Sequence, residues 1–380
     1  MKIKEITWFK DFACLCGKCP NSCCRGWVIP LSDRDVKRLR SQKGWLGLCL
    51  FFATGGWIRA KFNADSGRSP FWGSDSLCRL QKKKGHDFLP WTCQSYPRFY
   101  RNFGSVEERC LDLSCPGAAA LFLKNKGRLD AVGFEGDPVT KECTTNDDWE
   151  YFDLLLKRRS DIISGIHEVF TKSGAKECGR FTDRLFDSAI KLQDHYARQE
   201  TEEIPESSDH PGEPVSFPLP EGVFRGFLAS PLNHVRLCKV SPALYRMFKR
   251  ASKMLDLIEK EGSSIAEKAC CFLDDNPDIR EILGSYLAYY IFQYYMRVFE
   301  TYSFRRQVAL GLCHMNMILL LAMSEAGDSG LTDEQLIMII SVYNRRAYFN
   351  DDIQDEMYRI FEAGLKQRNY RGQDGLSTLS

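Results

Sequence analysis

Ten of the chain's sixteen cysteines fall within its first 115 residues, and five crowd into one stretch, Cys14-Leu-Cys16-Gly-Lys-Cys19-Pro-Asn-Ser-Cys23-Cys24. Thiols two and three residues apart on a Gly- and Pro-broken segment can turn several sulfurs toward one point. A tetrahedral zinc ion or an iron–sulfur cluster requires that convergence. Cys78, Cys93 and Cys115 follow, each beside Gly, Pro or aromatic neighbours that mark turns. The pool of thiols exceeds the four ligands of a zinc knuckle. Adjacent Cys23 and Cys24 point apart in most backbone conformations, so one is expected to bind while the other packs. Cys49, Cys178, Cys238, Cys270, Cys271 and Cys313 stand alone on apolar or helical segments and read as core filler.

A disulfide framework would need an oxidising compartment and usually a short secreted chain. The sequence opens Met-Lys-Ile-Lys-Glu-Ile-Thr-Trp, without the apolar stretch of a secretory signal, so the expected location is cytoplasmic. Thiols stay reduced there, and clustered ones bind metal or do redox chemistry. A dithiol redox role is weakly supported, because Cys16-Gly-Lys-Cys19 has no clear βαβ context.

The 380 residues carry a formal charge of +2, with 44% apolar and 27% charged side chains. That balance fits a globular chain and lacks the basic excess of a nucleic-acid binder. One local exception lies between Ser76 and Arg101, where Arg79, Lys82, Lys83, Lys84, Arg98 and Arg101 face only Asp87. Such a stretch is either a solvated loop or an attractor for an anionic group. The longest apolar run, Val308 to Met323, contains His314 and Asn316. It is shorter than the ~20 residues that span a bilayer, so no membrane insertion is expected and the run reads as a buried core helix.

The expected fold is mainly α-helical, with an irregular Cys-rich metal-binding region at the N-terminus followed by a helical body. Residues 1–130 form the Cys-rich region and 131–199 a helical segment. Residues 200–222 form an acidic, Pro-rich linker or mobile loop, and 223–380 the helical body. Phe152, Leu155, Leu156, Ile163, Ile166 and Phe170 recur at helical spacing, with Arg159 the one break in the stripe. The stretch from Asp278 to Glu300 is apolar all round and so should be central. Thr332 to Gln335 reads as a capping box, and Asn350 as the N-cap of the last helix. Gly133-Phe-Glu-Gly136-Asp-Pro138 is only superficially like a glycine-rich nucleotide loop, because Pro138 would break the helix that such a loop opens.

Four motifs, in order, resemble the flagellin lysine-N-methylase family. They are Cys19-Pro-Asn-Ser-Cys23-Cys24-Arg-Gly-Trp27, Leu77-Cys78-Arg-Leu-Gln, Leu89-Pro-Trp-Thr-Cys93-Gln-Ser-Tyr96-Pro97-Arg98 and Leu113-Ser-Cys115-Pro116. They cover about a third of the chain. The N-terminal half is also similar to a broader group of cysteine-rich zinc- or iron-chelating proteins. Tyr286-Leu-Ala-Tyr289-Tyr290-Ile-Phe and Tyr343-Asn-Arg345 look like the family's C-terminal half. Ser69 stands where the family often has a further cysteine, and Ala347 and Tyr348 stand where it has an acid and a histidine.

The resemblance implies methyl transfer from S-adenosylmethionine to lysine ε-amines on flagellin, in an enzyme holding a [4Fe–4S] cluster. The cluster ligands would come from Cys19, Cys23, Cys24, Cys78, Cys93 and Cys115, with Cys16 as a further candidate. The methyl donor would lie near the cluster, beside Trp27 and Arg98. The substrate amine must be neutral to attack, and an apolar channel lined by tyrosines would disfavour the ammonium. Tyr96, Tyr286, Tyr289 and Tyr290 are the candidates for that role. The spacing Cys16-x2-Cys19-x3-Cys23 reverses the Cys-x3-Cys-x2-Cys run of radical adenosylmethionine enzymes and gives no licence for radical chemistry. The rival reading is a non-enzymatic iron or zinc module that docks a protein partner.

Overall fold

The computed structural model describes residues 1–25, 28–44, 47–48, 61–63, 69–139, 151–197, 217–230, 241–326, 330–348 and 350–374. It is 66% helical, in agreement with the sequence. The strands are β1 (Lys2–Ile6), β2 (Val28–Pro30), β3 (Lys61–Asn63), β4 (Arg98–Asn102), β5 (Val106–Leu111) and β6 (Ala131–Glu135). Short helices α1 (Asp33–Arg40), α2 (Arg79–Lys84), α3 (Trp91–Ser95) and α4 (Pro116–Lys124) lie among them. The helical body follows as α5 (Phe152–Lys172), α6 (Ala175–Ala197), α7 (Glu221–Ala229), α8 (Pro242–Lys260), α9 (Ile265–Asp275) and α10 (Pro277–Tyr294). It closes with α11 (Val298–Thr301), α12 (Phe304–Glu325), α13 (Asp333–Ala347) and α14 (Asp351–Asp374).

The N-terminal region is less irregular than its sequence suggests. A four-stranded sheet runs in the order β4-β5-β1-β6, with β1 parallel to β5 and the outer pairs antiparallel. Gly133 sits inside β6 opposite Lys4, so the glycine-bearing segment is an edge strand and opens no helix. Ile6, Trp8, Phe103, Leu111 and Phe122 from this layer share one core with the helical body. A second, smaller core gathers Ile29, Leu31, Leu39, Phe71, Leu80 and Leu89. The boundary drawn near residue 130 therefore does not separate two cores. Most of 200–222 lies outside the described residues, and its last part is packed, with Phe217 and Leu219 buried.

The helices form where periodicity and caps demand them. Thr332 Oγ1 accepts from Gln335 N while Thr332 N donates to Gln335 Oε1, the expected capping box of α13. Asn350 Oδ1 accepts from Ile353 N at 3.2 Å and caps α14. Helix α10 is buried along almost its whole length, as its all-round apolarity requires. Helix α12 has enough length and apolarity to cross a membrane, but 89% of its apolar window is buried against the other helices. Arg159, the break in the stripe of α5, is buried too. Its guanidinium pairs with both carboxylate oxygens of Glu108 on β5 and donates to Phe292 O at 3.0 Å.

That pair ties the sheet to the helical body, and removing one partner strands a charge in the core. Arg159→Ala should lower unfolding stability by about 3–5 kcal/mol. Urea titration of the variant against the parent protein checks the value.

Candidate metal centre

Eight cysteines, Cys14, Cys16, Cys19, Cys23, Cys24, Cys78, Cys93 and Cys115, line one cavity of about 470 Å³. Each is brought there by a local device. A 3₁₀ turn at Cys16–Lys18, entered with Cys16 at φ +50°, folds the first stretch back on itself. The backbone N–H of Cys16 then meets Cys14 Sγ at 3.3 Å. Cys78 and Cys115 are the N-cap residues of α2 and α4, and Pro116 starts α4 where a missing N–H costs nothing. Cys93 lies on α3 and packs, with Cys78, against the smaller core. Ser69, at the position of the family's extra cysteine, also lines the cavity, and its N–H donates to Cys24 O at 2.6 Å.

One wall residue comes from beyond residue 115 among those described, and it is Arg345 of α13. Helix α13 packs on α4, which brings the guanidinium against three segments that carry cysteines. It donates to Ser22 O at 2.6 Å, to Ser114 O at 2.8 Å and to Tyr96 Oη at 3.3 Å. Sequence reading placed Arg345 in a family-like motif without a role. Nothing local in the helix distinguishes it from an ordinary basic residue in a last turn.

The thiols' acidity follows from this packing. Burial pushes Cys93 and Cys115 up to about 12, and raises Cys19 and Cys78 above the ordinary thiol value. For Cys78 and Cys115 the backbone N–H groups at the helix starts act the other way. Cys23 is drawn down to about 7, first by a hydrogen bond from Cys24 and then, against burial, by the Arg345 charge. Cys24 is raised by the same bond.

Eight thiols are more than the four that a single zinc ion takes. Among the described residues no three His, Cys, Asp or Glu side chains are grouped to hold one metal ion. Zinc–sulfur bonds of about 2.3 Å would need four sulfurs drawn around a single point. A [4Fe–4S] cluster would instead offer each of four thiolates a different iron.

The other expected site residues divide into two groups. Arg98 lines the cavity, its guanidinium over the rings of Phe12 at 5.3 Å and Phe9 at 5.8 Å. Tyr96 lines it too, with Oη 2.9 Å from Ser114 Oγ. Trp27 lies outside the described residues. Tyr286, Tyr289 and Tyr290 are buried in the main core and are not among the residues lining the cavity. Tyr286 donates to Asn344 Oδ1, and Tyr289 bonds both backbone groups of Leu111. The ring of Tyr290 lies 4.9 Å from Tyr294, 5.3 Å from His314 and 5.7 Å from Tyr348. Rings so close pack against one another. The lone Cys178 and Cys313 are buried as core residues, whereas Cys271 is exposed.

Curated proteins similar to this chain bear on the chemistry. The flagellar biosynthetic protein FliU of Salmonella muenchen is 29% identical over 136 residues, which cover 32% of this chain and 80% of FliU. Lysine-N-methylases of Salmonella choleraesuis and Salmonella typhimurium are also 29% identical over 136 residues, again 32% of this chain. The match spans about a third of their length, 34% in each case. No family model matches the chain. No solved structure matches it either.

Metal binding by raised thiols must release protons, so uptake should strengthen as pH rises. Ferric iron, sulfide and a thiol reductant supplied without oxygen should load the protein more completely at pH 8.5 than at pH 6.5, read as iron per chain and visible absorption. Cys93→Ser should abolish loading and reduce the yield of folded protein. Full iron occupancy in that variant would remove Cys93 from the ligand set.

Proposed function

We propose that this chain is a protein-lysine N-methyltransferase that uses S-adenosylmethionine to methylate surface lysines of flagellin and carries a [4Fe–4S] cluster. The observation that carries the reading is the eight-thiol cavity, in a chain similar to proteins named lysine-N-methylase. The cluster ligands are drawn from Cys19, Cys23, Cys24, Cys78, Cys93 and Cys115, and such a group supplies one-electron chemistry when bound. The working compartment is the reducing cytoplasm.

About 470 Å³ is within the usual size of a small-molecule site, and Arg98 places positive charge on its wall, whereas the Lys82 ammonium is paired with Asp75. Arg98 suits the donor's carboxylate. Transfer forms one N–C bond from the lysine lone pair while the C–S bond of the sulfonium breaks, its electrons going to sulfur. One proton leaves for each methyl added. Tyr96 is the tyrosine placed to meet the amine. Burial holds its phenol well above the usual value, so it remains a neutral hydrogen-bonding group that orients without charging.

The burial of Tyr286, Tyr289 and Tyr290 away from the cavity favours a second reading, a metal module that docks a partner, because it leaves Tyr96 as the one candidate tyrosine on the wall. One experiment separates the two. Iron-loaded protein incubated with S-adenosylmethionine and unmethylated flagellin should add mass in steps of one methyl, located on lysines by peptide mass spectrometry. The rate should rise with pH toward the free lysine value near ~10.4, because only the neutral amine attacks. Tyr96→Phe should cut the rate about tenfold or more while leaving iron content unchanged. No mass gain at any pH, with donor binding demonstrated, would favour the metal module.

A further inference from the structure

Arg345 sits where a fixed charge would act on anything the thiols hold. It is 5% exposed, lies on a helix more than 200 residues beyond the nearest cysteine-bearing wall segment, and bonds the carbonyls immediately before Cys23 and Cys115. Cys23, Cys19 and Cys115 all feel its charge. Its Nε has no hydrogen-bond partner among the described residues, so that N–H is uncommitted beside the three bonds made by the terminal nitrogens.

We propose that Arg345 is a positioning residue that raises the reduction potential of the cluster bound in the thiol cavity. The inference rests on the cluster reading above. Reduction adds one electron to a group whose ligands are already anionic thiolates. A buried guanidinium, which keeps its charge at any working pH, stabilises the more negative state. Charge and hydrogen bonding near the sulfurs are among the factors that set cluster potentials. The same three bonds tie together the loops before Cys23 and Cys115 and the Tyr96 segment that follows Cys93.

The test is anaerobic redox titration of the full-length, iron-loaded protein, followed by electron paramagnetic resonance. Arg345→Gln removes the charge and should disfavour reduction about tenfold, a fall of about 59 mV for a one-electron couple. Arg345→Lys keeps the charge without the fork, and its reduction equilibrium should stay within about threefold of the parent, roughly half that shift. An Arg345→Gln variant with full iron and the parent potential would overturn this role while leaving the cluster reading intact. Where Arg345→Gln fails to hold iron, Arg345→Lys decides. A parent-like potential supports the proposal, and a potential lowered by about 59 mV or more, a tenfold loss in the reduction equilibrium, overturns it. A parent protein that takes up no iron overturns both the cluster and this role.

Discussion

A guanidinium removed from water must find acceptors, and it cannot escape the requirement by losing its proton. Arg345 meets that requirement with Ser22 O, Ser114 O and Tyr96 Oη, all contributed by segments that carry the clustered cysteines. The helical body and the thiol region are therefore fixed together at this polar point. Shifting α13 along α4 would leave the charge buried without partners, a cost of several kcal/mol that holds the register. The cavity's dimensions depend on that register.

The sheet transmits a second constraint from the core to the same place. Tyr289 of α10 engages both backbone groups of Leu111 at the end of β5, where the strand's own ladder stops. Immediately afterwards Asp112 turns the chain by accepting from Ser114 N at 2.7 Å, and Cys115 caps α4. Tyr286 and Tyr348 complete the polar layer through Asn344, one residue before Arg345. The tyrosines of α10 thus shape the site from behind, as hydrogen-bonding struts for the strand and for α13, while Tyr96 alone of the four considered meets the cavity.

Much of this was legible in the chain. The gathering of cysteines followed from their spacing and turn-forming neighbours, and α5, α10, α13 and α14 from periodicity and caps that act within a few residues. Strand β5 was not legible, because Val106-Glu-Glu-Arg-Cys-Leu reads as polar. Its two buried acids are balanced by Arg109 beside it and by Arg159, 51 residues away. Arg345 was hidden for the same reason. A basic residue near a helix C-terminus suits the helix dipole wherever it occurs, and only tertiary packing shows that this one points into a chamber of thiols. Ser69 was read as a departure from a family pattern, and the fold gives it a place in the wall beside Cys24.

The separation of 323 positions between Ser22 and Arg345 also sets a clock. Synthesis proceeds at roughly 5–20 residues per second, so about a quarter of a minute to a minute passes between the emergence of the first cysteines and that of the arginine that closes their cavity. Throughout that interval the cysteine-bearing segments lack the guanidinium that bonds them together. Completion of the cavity wall is thereby coupled to synthesis of α13, and a chain that ended before that helix would bear all eight cavity thiols without Arg345.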